Sequence, residues 1–373
     1  VSGIAIVGAG LGGLTTALAL LRAGKACTIH EQAPALGEVG AGITISPNAA
    51  KALIALGLGP ALEAVAEEPP FNEVRAAADD SLVARIPRER TRETYGAPYW
   101  MLHRADLHAL LVEAVRALDA DAIRLNARVA PGDTLGAEVL IGADGVKSAV
   151  RAAVTGPDEP VFSGHVAWRC LAPGALVAGE LSAPGSITWA GEGRSATLYP
   201  VRGGALVNCV ALTRSDAWAG EGWSHAAAPG AVVAALAGFP APVLDAFAAG
   251  EAAEGVKCWG LFTRPPVERL VKGRVALIGD AAHPMPPFLG QGAAMAIEDG
   301  LVLARCLIAY PEREAALAAY EAARLARVRF VQDESNAGAD RLQTRMTEDL
   351  RDKPRRDENA LDLFAYDPAT TPI

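Results

Sequence analysis

At 373 residues the chain is long enough for more than one core, and with 51% apolar residues it is a folded protein, not a disordered one. A net charge of −9 argues against nucleic acid as a partner, because phosphate backbones select basic surfaces. Five scattered cysteines without a CxxC pair read as buried thiols in a reducing compartment, and no run of about 20 apolar residues offers a membrane span. The first strand has no basic leader before it, so we expect a cytoplasmic protein; no Cys/His set has metal-ligand spacing.

The first segment, "VSGIAIVGAGLGGLTTALALLRAGKACTIHEQ", reads as strand, glycine turn, helix and strand. Ile4, Ile6 and Val7 form a short buried strand, Leu11, Leu14, Leu18 and Leu21 recur at helical spacing, and Gly24 ends the helix. Gly8, Gly10, Gly12 and Gly13, with Leu11 among them, fall in the first turn of this βαβ unit. Glu31 and Gln32 close its second strand. In that context the pattern is a dinucleotide-binding fingerprint. The glycines let backbone amides approach a pyrophosphate at the helix N-terminus. Glu31 would accept from adenosine ribose hydroxyls and repel a 2′-phosphate, so the site takes FAD or NAD rather than NADP.

Residues 71–100 switch to short strands among charges and turns, and "HRADLHALLVEAVRAL" (103–118) is an amphipathic helix. "AEVLIGADGVKSAVR" (137–151) returns to a buried strand ending at Asp144 and Gly145. Residues 160–265 alternate as antiparallel strands parted by "GEG" and "RGG" turns. After 273 the α/β pattern resumes with the strand Val275–Ile278, which stops at Gly279 and Asp280. A charged, Ala-rich helix with Leu317, Tyr320 and Leu325 follows over 312–349. "RDKPRR" is balanced by neighbouring acids and reads as a solvated tail.

The fold class is therefore α/β. A Rossmann-like domain with a parallel sheet is built from 1–70, 101–157 and 270–310. An antiparallel-sheet domain is inserted at 71–100 and 158–269, and 311–373 forms a C-terminal helix and tail.

Three motifs stand in order: "GAGLGG" with Glu31, "GADGVKSAVR", and "GDAAHPMPPFLGQGA". Together they resemble the single-component flavoprotein aromatic hydroxylases, the class containing para-hydroxybenzoate hydroxylase. "GAGITISPNAAKAL", "YGAPYWMLHRADLHALL", "AWR" and "LFAYD" are most similar to its salicylate, 3-hydroxybenzoate and 6-hydroxynicotinate hydroxylase branch. The similarity covers nearly the whole chain. The segment 129–138 is shorter than in such relatives.

The resemblance implies FAD as resident cofactor and NADH or NADPH as transient reductant. O2 and a small aromatic substrate complete the set, in a monomer or homodimer. It gives Asp280 to the ribityl hydroxyls, a strand-end helix cap being the alternative. Arg104 goes to the FAD phosphate, or to a surface salt bridge. Asp144 serves flavin and nicotinamide, or merely a turn. The stretch 40–44, with Gly42 and Thr44, lies along the flavin, and Val129 meets it through backbone. Pro286 and Pro287 wall the flavin, while Gly290, Gln291, Gly292 and Ala293 offer amides and a helix N-terminus to its pyrimidine edge. The implied reaction hydroxylates a phenolic or heteroaromatic acid through a flavin C4a-hydroperoxide. Alternatives are oxygenation of a larger uncharged substrate, or a non-catalytic flavin-bound regulator.

Such relatives carry a histidine four residues before a tyrosine on the substrate sheet. Here Tyr199 is present, but Ser195 stands at the histidine's place, and serine is no base at neutral pH without an activating partner. His283 is a candidate catalytic group or a loop anchor. Arg169, on one strand face with His165, would pair a substrate carboxylate or a sheet acid. Trp100, Trp168, Trp189 and Phe288 would wall an aromatic pocket or simply pack in the core.

Overall fold

A computed structural model describes residues 3–37, 41–218, 225–338, 343 and 361–373. Gly40, "RDKPRR" and most of 339–349 lie outside the described residues.

The amino-terminal apolar runs assemble a six-stranded sheet. Its order is Val271–Lys272, Val275–Leu277, Val139–Gly142, Ile4–Val7, Cys27–His30 and Ile123–Arg124. All pairings are parallel except the edge pair Val271–Lys272 with Val275–Leu277. Parallel strands are covered on both faces, which is why Val139–Gly142 is apolar and buried throughout rather than alternating. The helices Leu11–Arg22 and Gly292–Ala309 pack closely enough that a Cβ on Gly300 would lie 2.8 Å from the Gly12 carbonyl oxygen.

The intervening chain builds an eight-stranded sheet in the order His225–Ala226, Lys257–Thr263, Val161–Pro173, Leu206–Arg214, Arg194–Val201, Ser186–Gly191, Phe71–Ala76 and Leu82–Pro87. One pairing departs from the antiparallel expectation: Ser186–Gly191 runs parallel to Phe71–Ala76. No hairpin joins these strands. The chain between them passes through the helix Arg104–Leu118 and the strand Val139–Gly142, and a crossover of that length permits parallel pairing.

Alternation splits the sheet's residues between two faces. Cys170, Ala172, Leu198, Val207 and Cys209 bury against Val243, Ala246 and Phe247 of the helix Ala241–Glu254. Arg169, Tyr199 and Asn208 fall on the opposite face, toward the nucleotide-type sheet.

A two-stranded ribbon, Gly42–Ile45 with Trp100–His103, lies between the two sheets and was not anticipated from the sequence. Over the described residues the late helix spans Arg313–Asn336, with Leu317 and Tyr320 buried as the pattern required. Gly338 follows it where a Cβ would lie 2.5 Å from Phe288 Cβ. All five cysteines are buried and unpaired. No helix among the described residues is long and apolar enough to cross a membrane.

Candidate active site

The first glycine turn is dictated by sterics. Gly8 has φ +104°, and a Cβ there would sit 2.4 Å from the Ala143 carbonyl oxygen. A Cβ on Gly13 would sit 2.2 Å from the Gly8 carbonyl oxygen, and one on Gly12 3.1 Å from that of Ala296. Gly12 and Gly13, with buried Leu11, therefore seat the helix, whereas Gly10 faces open space as its N-cap. The helix has no side-chain cap and no acid in its first turn, so its leading amides remain available to an anion. Glu31 braces the turn: Oε2 accepts from Ala9 N and Oε1 from Ala33 N, both at 2.8 Å. That brace was not legible in the sequence. Each oxygen keeps lone-pair capacity for a ribose hydroxyl.

Beside this turn opens a cavity of about 1090 Å3. Gly8, Gly10, Glu31, Gln32, Val129 and Asp144 border it, as do Arg104, Arg169 and Asp280, which lie near one another. Residues from both sheets thus border one space, as an extended ligand requires. Asp144 borders the cavity and also braces its own turn. Its Oδ1 accepts from Ser148 Oγ at 2.5 Å and its Oδ2 from Ala149 N at 2.7 Å, while burial pushes its pKa upward.

The group of Arg104, Arg169 and Asp280 is electrostatically unusual. Burial and the nearby Arg169 guanidinium lower the Arg104 pKa to about 10, with Asp280 acting in the other direction. Arg169 is also lowered by burial, and its Nε has no hydrogen-bond partner among the described residues. Its guanidinium lies 5.6 Å from the ring centroid of Trp259. Asp280 is exposed to the cavity, and the partial desolvation by the surrounding protein raises its pKa against the pull of His283 and Arg104. Trp259 and Lys257 also border the cavity. Sequence reading missed both, although their alternation in "KCWGL" marks the same face as Arg169.

The remaining flavin-motif residues form a separate group. Gly290, at φ +63°, has room for a Cβ only against Thr44 Oγ1 at 3.4 Å. Pro287 opens a 3-10 turn over Pro287–Leu289, and Gly292 and Ala293 begin a second helix without a side-chain cap. The Gln291 side chain turns inward instead: Nε2 donates to Ser46 Oγ and Oε1 accepts from Asn48 Nδ2, both at 3.1 Å. FAD fits this arrangement. The uncapped helix start at Gly10 and the Arg104 guanidinium suit its diphosphate, the second uncapped start at Gly292 suits its ring edge, and the glycine positions admit backbone approach.

His283 does not border the cavity. It is fully buried, with Nε2 2.6 Å from Asp299 Oδ2, and Asp299 also accepts from Gly279 N and Arg324 Nε. This is the loop-anchor alternative, and the geometry gives the expected catalytic role no footing.

Tyr199 is 6% exposed and packs with Met101, Leu171 and Val201. Burial raises its pKa, opposed by Arg169. It lies behind the ribbon, since a Cβ on Gly42 would sit 2.7 Å from both Tyr199 Cε2 and Asn208 Cγ. Ser195 shares its face and is buried. Trp100 and Trp189 are core residues, and Trp168 packs on the helix-covered face, so none of the three walls the cleft. Phe288 does lie on the cleft side, with Ala167, Leu212, Leu261 and Trp259. No His/Cys/Asp/Glu group suited to a metal occurs among the described residues.

Comparison with known proteins agrees with this geometry. A family model described as FAD binding domain matches residues 2–335. The chain is 39% identical to the 3-amino-4-hydroxybenzoate 2-monooxygenase PtmB3 of Streptomyces platensis, covering 97% of this chain and 94% of the relative. It is 38% identical to 3-hydroxybenzoate 6-hydroxylase 1 of Aquipseudomonas alcaligenes (90% and 88%). Identity to a Pseudomonas fluorescens 6-hydroxynicotinate 3-monooxygenase is 37% (88% and 89%). Among solved structures, a salicylate hydroxylase substrate complex superposes with a TM-score of 0.81 at 25% identity, covering 99% of this chain and 98% of that one. HpxO of Klebsiella pneumoniae complexed with FAD and uric acid superposes with 0.79 at 26% (97% and 95%). The chain belongs to the FAD-binding-domain family.

Proposed function

We propose that this protein is an FAD-dependent monooxygenase that uses NAD(P)H, with NADH favoured, and O2 to hydroxylate a small phenolic or heteroaromatic acid. The observation that carries the reading is that Arg104, Asp280 and Arg169 border the same cavity as the glycine turn. Bound FAD supplies the redox chemistry: two electrons pass from the nicotinamide to O2, one oxygen enters the ring, and the other leaves as water. The chain's own groups bind and orient. Arg104 and the helix start after Gly10 hold the diphosphate, the helix start at Gly292 faces the flavin's pyrimidine edge, and Asp280 and Glu31 accept from the ribityl and ribose hydroxyls. Arg169 pairs with the substrate carboxylate, its unpartnered Nε leaving a donor for that purpose. Tyr199 lies on the Arg169 side of the same sheet face and sets the ring's orientation through its hydroxyl. The discontinuous division into a cofactor domain and an inserted substrate domain follows the two sheets.

The test is to follow oxidation of NADH and of NADPH by the purified yellow protein. The panel comprises hydroxybenzoates, aminohydroxybenzoates, 6-hydroxynicotinate, apolar polycycles and no addition. Stimulation by the acids with hydroxylated product is expected. Stimulation by polycycles alone would favour a larger uncharged substrate, and failure of both nicotinamides to reduce the flavin would sink the enzymatic reading.

A further inference from the structure

One side chain ties the substrate sheet to the ribbon beside the cofactor cleft. Asn208 is wholly buried, and its Oδ1 accepts from Gly42 N at 2.7 Å. Its Nδ2 has no partner among the described residues. An unpaired buried donor costs about 1–3 kcal/mol, and a leucine would fill similar space without that cost. The bond to Gly42 must therefore be what the asparagine supplies. The contact has no slack, because a Cβ on Gly42 would sit 2.7 Å from Asn208 Cβ, Asn208 Cγ and Tyr199 Cε2.

The peptide it grips is a junction. Ala41 borders the cavity, and its carbonyl oxygen accepts from Arg104 N at 2.7 Å. Two residues beyond Gly42, Thr44 faces Gly290 of the late glycine turn. On the sheet side, Asn208 pairs directly with Tyr199 and Leu171. This hydrogen bond links the peptide that holds the arginine helix to the substrate sheet, alongside the Arg202–Asp106 ion pair and the packing of Met101 on Tyr199.

We propose that Asn208 is a positioning residue that sets the separation between the flavin ring and the substrate sheet, and so decides how reducing equivalents are used. The inference rests on the monooxygenase reading. In coupled turnover NAD(P)H, a proton, O2 and the arene give NAD(P)+, the hydroxylated arene and water. When spacing fails, NAD(P)H, a proton and O2 give NAD(P)+ and hydrogen peroxide. Losing the latch shifts turnover to the second course without slowing flavin reduction.

Three variants of the full chain test this: Asn208→Leu, which removes the acceptor; Asn208→Asp, which keeps it; and Gly42→Ala, which forces the contact apart from the other side. Readouts are the visible absorption and circular dichroism of bound FAD, its dissociation constant, and peroxide formed per reductant consumed. We expect Asn208→Leu and Gly42→Ala to bind FAD with altered visible dichroism and to release at least fivefold more peroxide per reductant. Asn208→Asp should stay within twofold of the parent in both. Parent-like spectra and coupling in Asn208→Leu overturn the proposal, as does equal disturbance of the Asp and Leu variants. Should Asn208→Leu fail to fold, the contrast between Asn208→Asp and Gly42→Ala decides by the same criteria. If the parent hydroxylates no aromatic acid, the monooxygenase reading fails, while the flavin spectra still judge the latch.

Discussion

Two groups of charges lie about the loop 279–283, one buried and one lining the cavity, and they are balanced in opposite ways. Behind the loop, Arg324 pairs with Glu298 at 2.7 Å and with Asp299 at 2.8 Å, Arg327 adds a second bond to Glu298, and His283 completes the set. In front of it, Arg169 lies close enough to disfavour the charge on Arg104, with Asp280 nearby. The rear group is neutralised internally and holds structure. The front group sets two guanidiniums beside one carboxylate at the cavity surface, an arrangement suited to an anionic ligand.

The sharpest way to break this comparison is at Asp299. Asp299→Ala leaves Arg324 buried without one of its two acids, and we expect a loss of about 3–5 kcal/mol in urea unfolding of the apo-protein. Next in size, Asp280→Ala should weaken FAD binding about 10–100-fold by titration while leaving apo-protein stability unchanged or slightly raised. Equal destabilisation by both variants would erase the distinction. Arg169→Met should raise KM for a carboxylate substrate about tenfold or more without altering FAD affinity, and lysine should not restore it, because a point charge lacks the planar fork. Tyr199→Phe is expected to be mildest, a few-fold loss of kcat/KM. Unchanged turnover and affinity would remove Tyr199 from the site.

The two aspartates should also respond oppositely to acid. Asp299 is held at about 2 by Arg324 and His283 against burial, below its usual 3.8. Its stabilisation is therefore present above pH 3.8 and lost as pH falls toward 2. Asp280 is raised by desolvation, so its effect on the apo-protein is most favourable below 3.8 and fades as pH rises through the elevated value. Urea midpoints of the parent against Asp280→Asn across pH 3–7 should diverge progressively in favour of the variant. A constant difference contradicts the assigned direction.

Legibility in the sequence followed the same divide between local and distant causes. The turn at Gly8–Gly13, the strands bounding it and the Gly279–Asp280 corner are short-range patterns, and each was readable from spacing. Glu31's brace on Ala9, the Asn208–Gly42 bond and the Asp299–His283 pair join distant segments, and no periodicity marks them. The tryptophans mislead for a related reason. Trp189 looks like a pocket wall, but its Nε1 finds Asp80 at 2.7 Å, a partner 109 positions away. Alternation assigns a residue to a face; what lies opposite that face is set by the packing of other segments.

The six-stranded sheet has a temporal consequence. Val275–Leu277 finds its parallel partner in Val139–Gly142, with the whole strand run from Val161 to Thr263 between them. Contacts so remote form slowly, after the loop-closure entropy has been met. A newly made chain can complete its first glycine turn early but acquires Asp280, and with it the full lining of the proposed FAD site, only when that last parallel strand docks. Free FAD in the cell would then find no two-sided berth on a half-formed molecule, and would act by capturing the finished one.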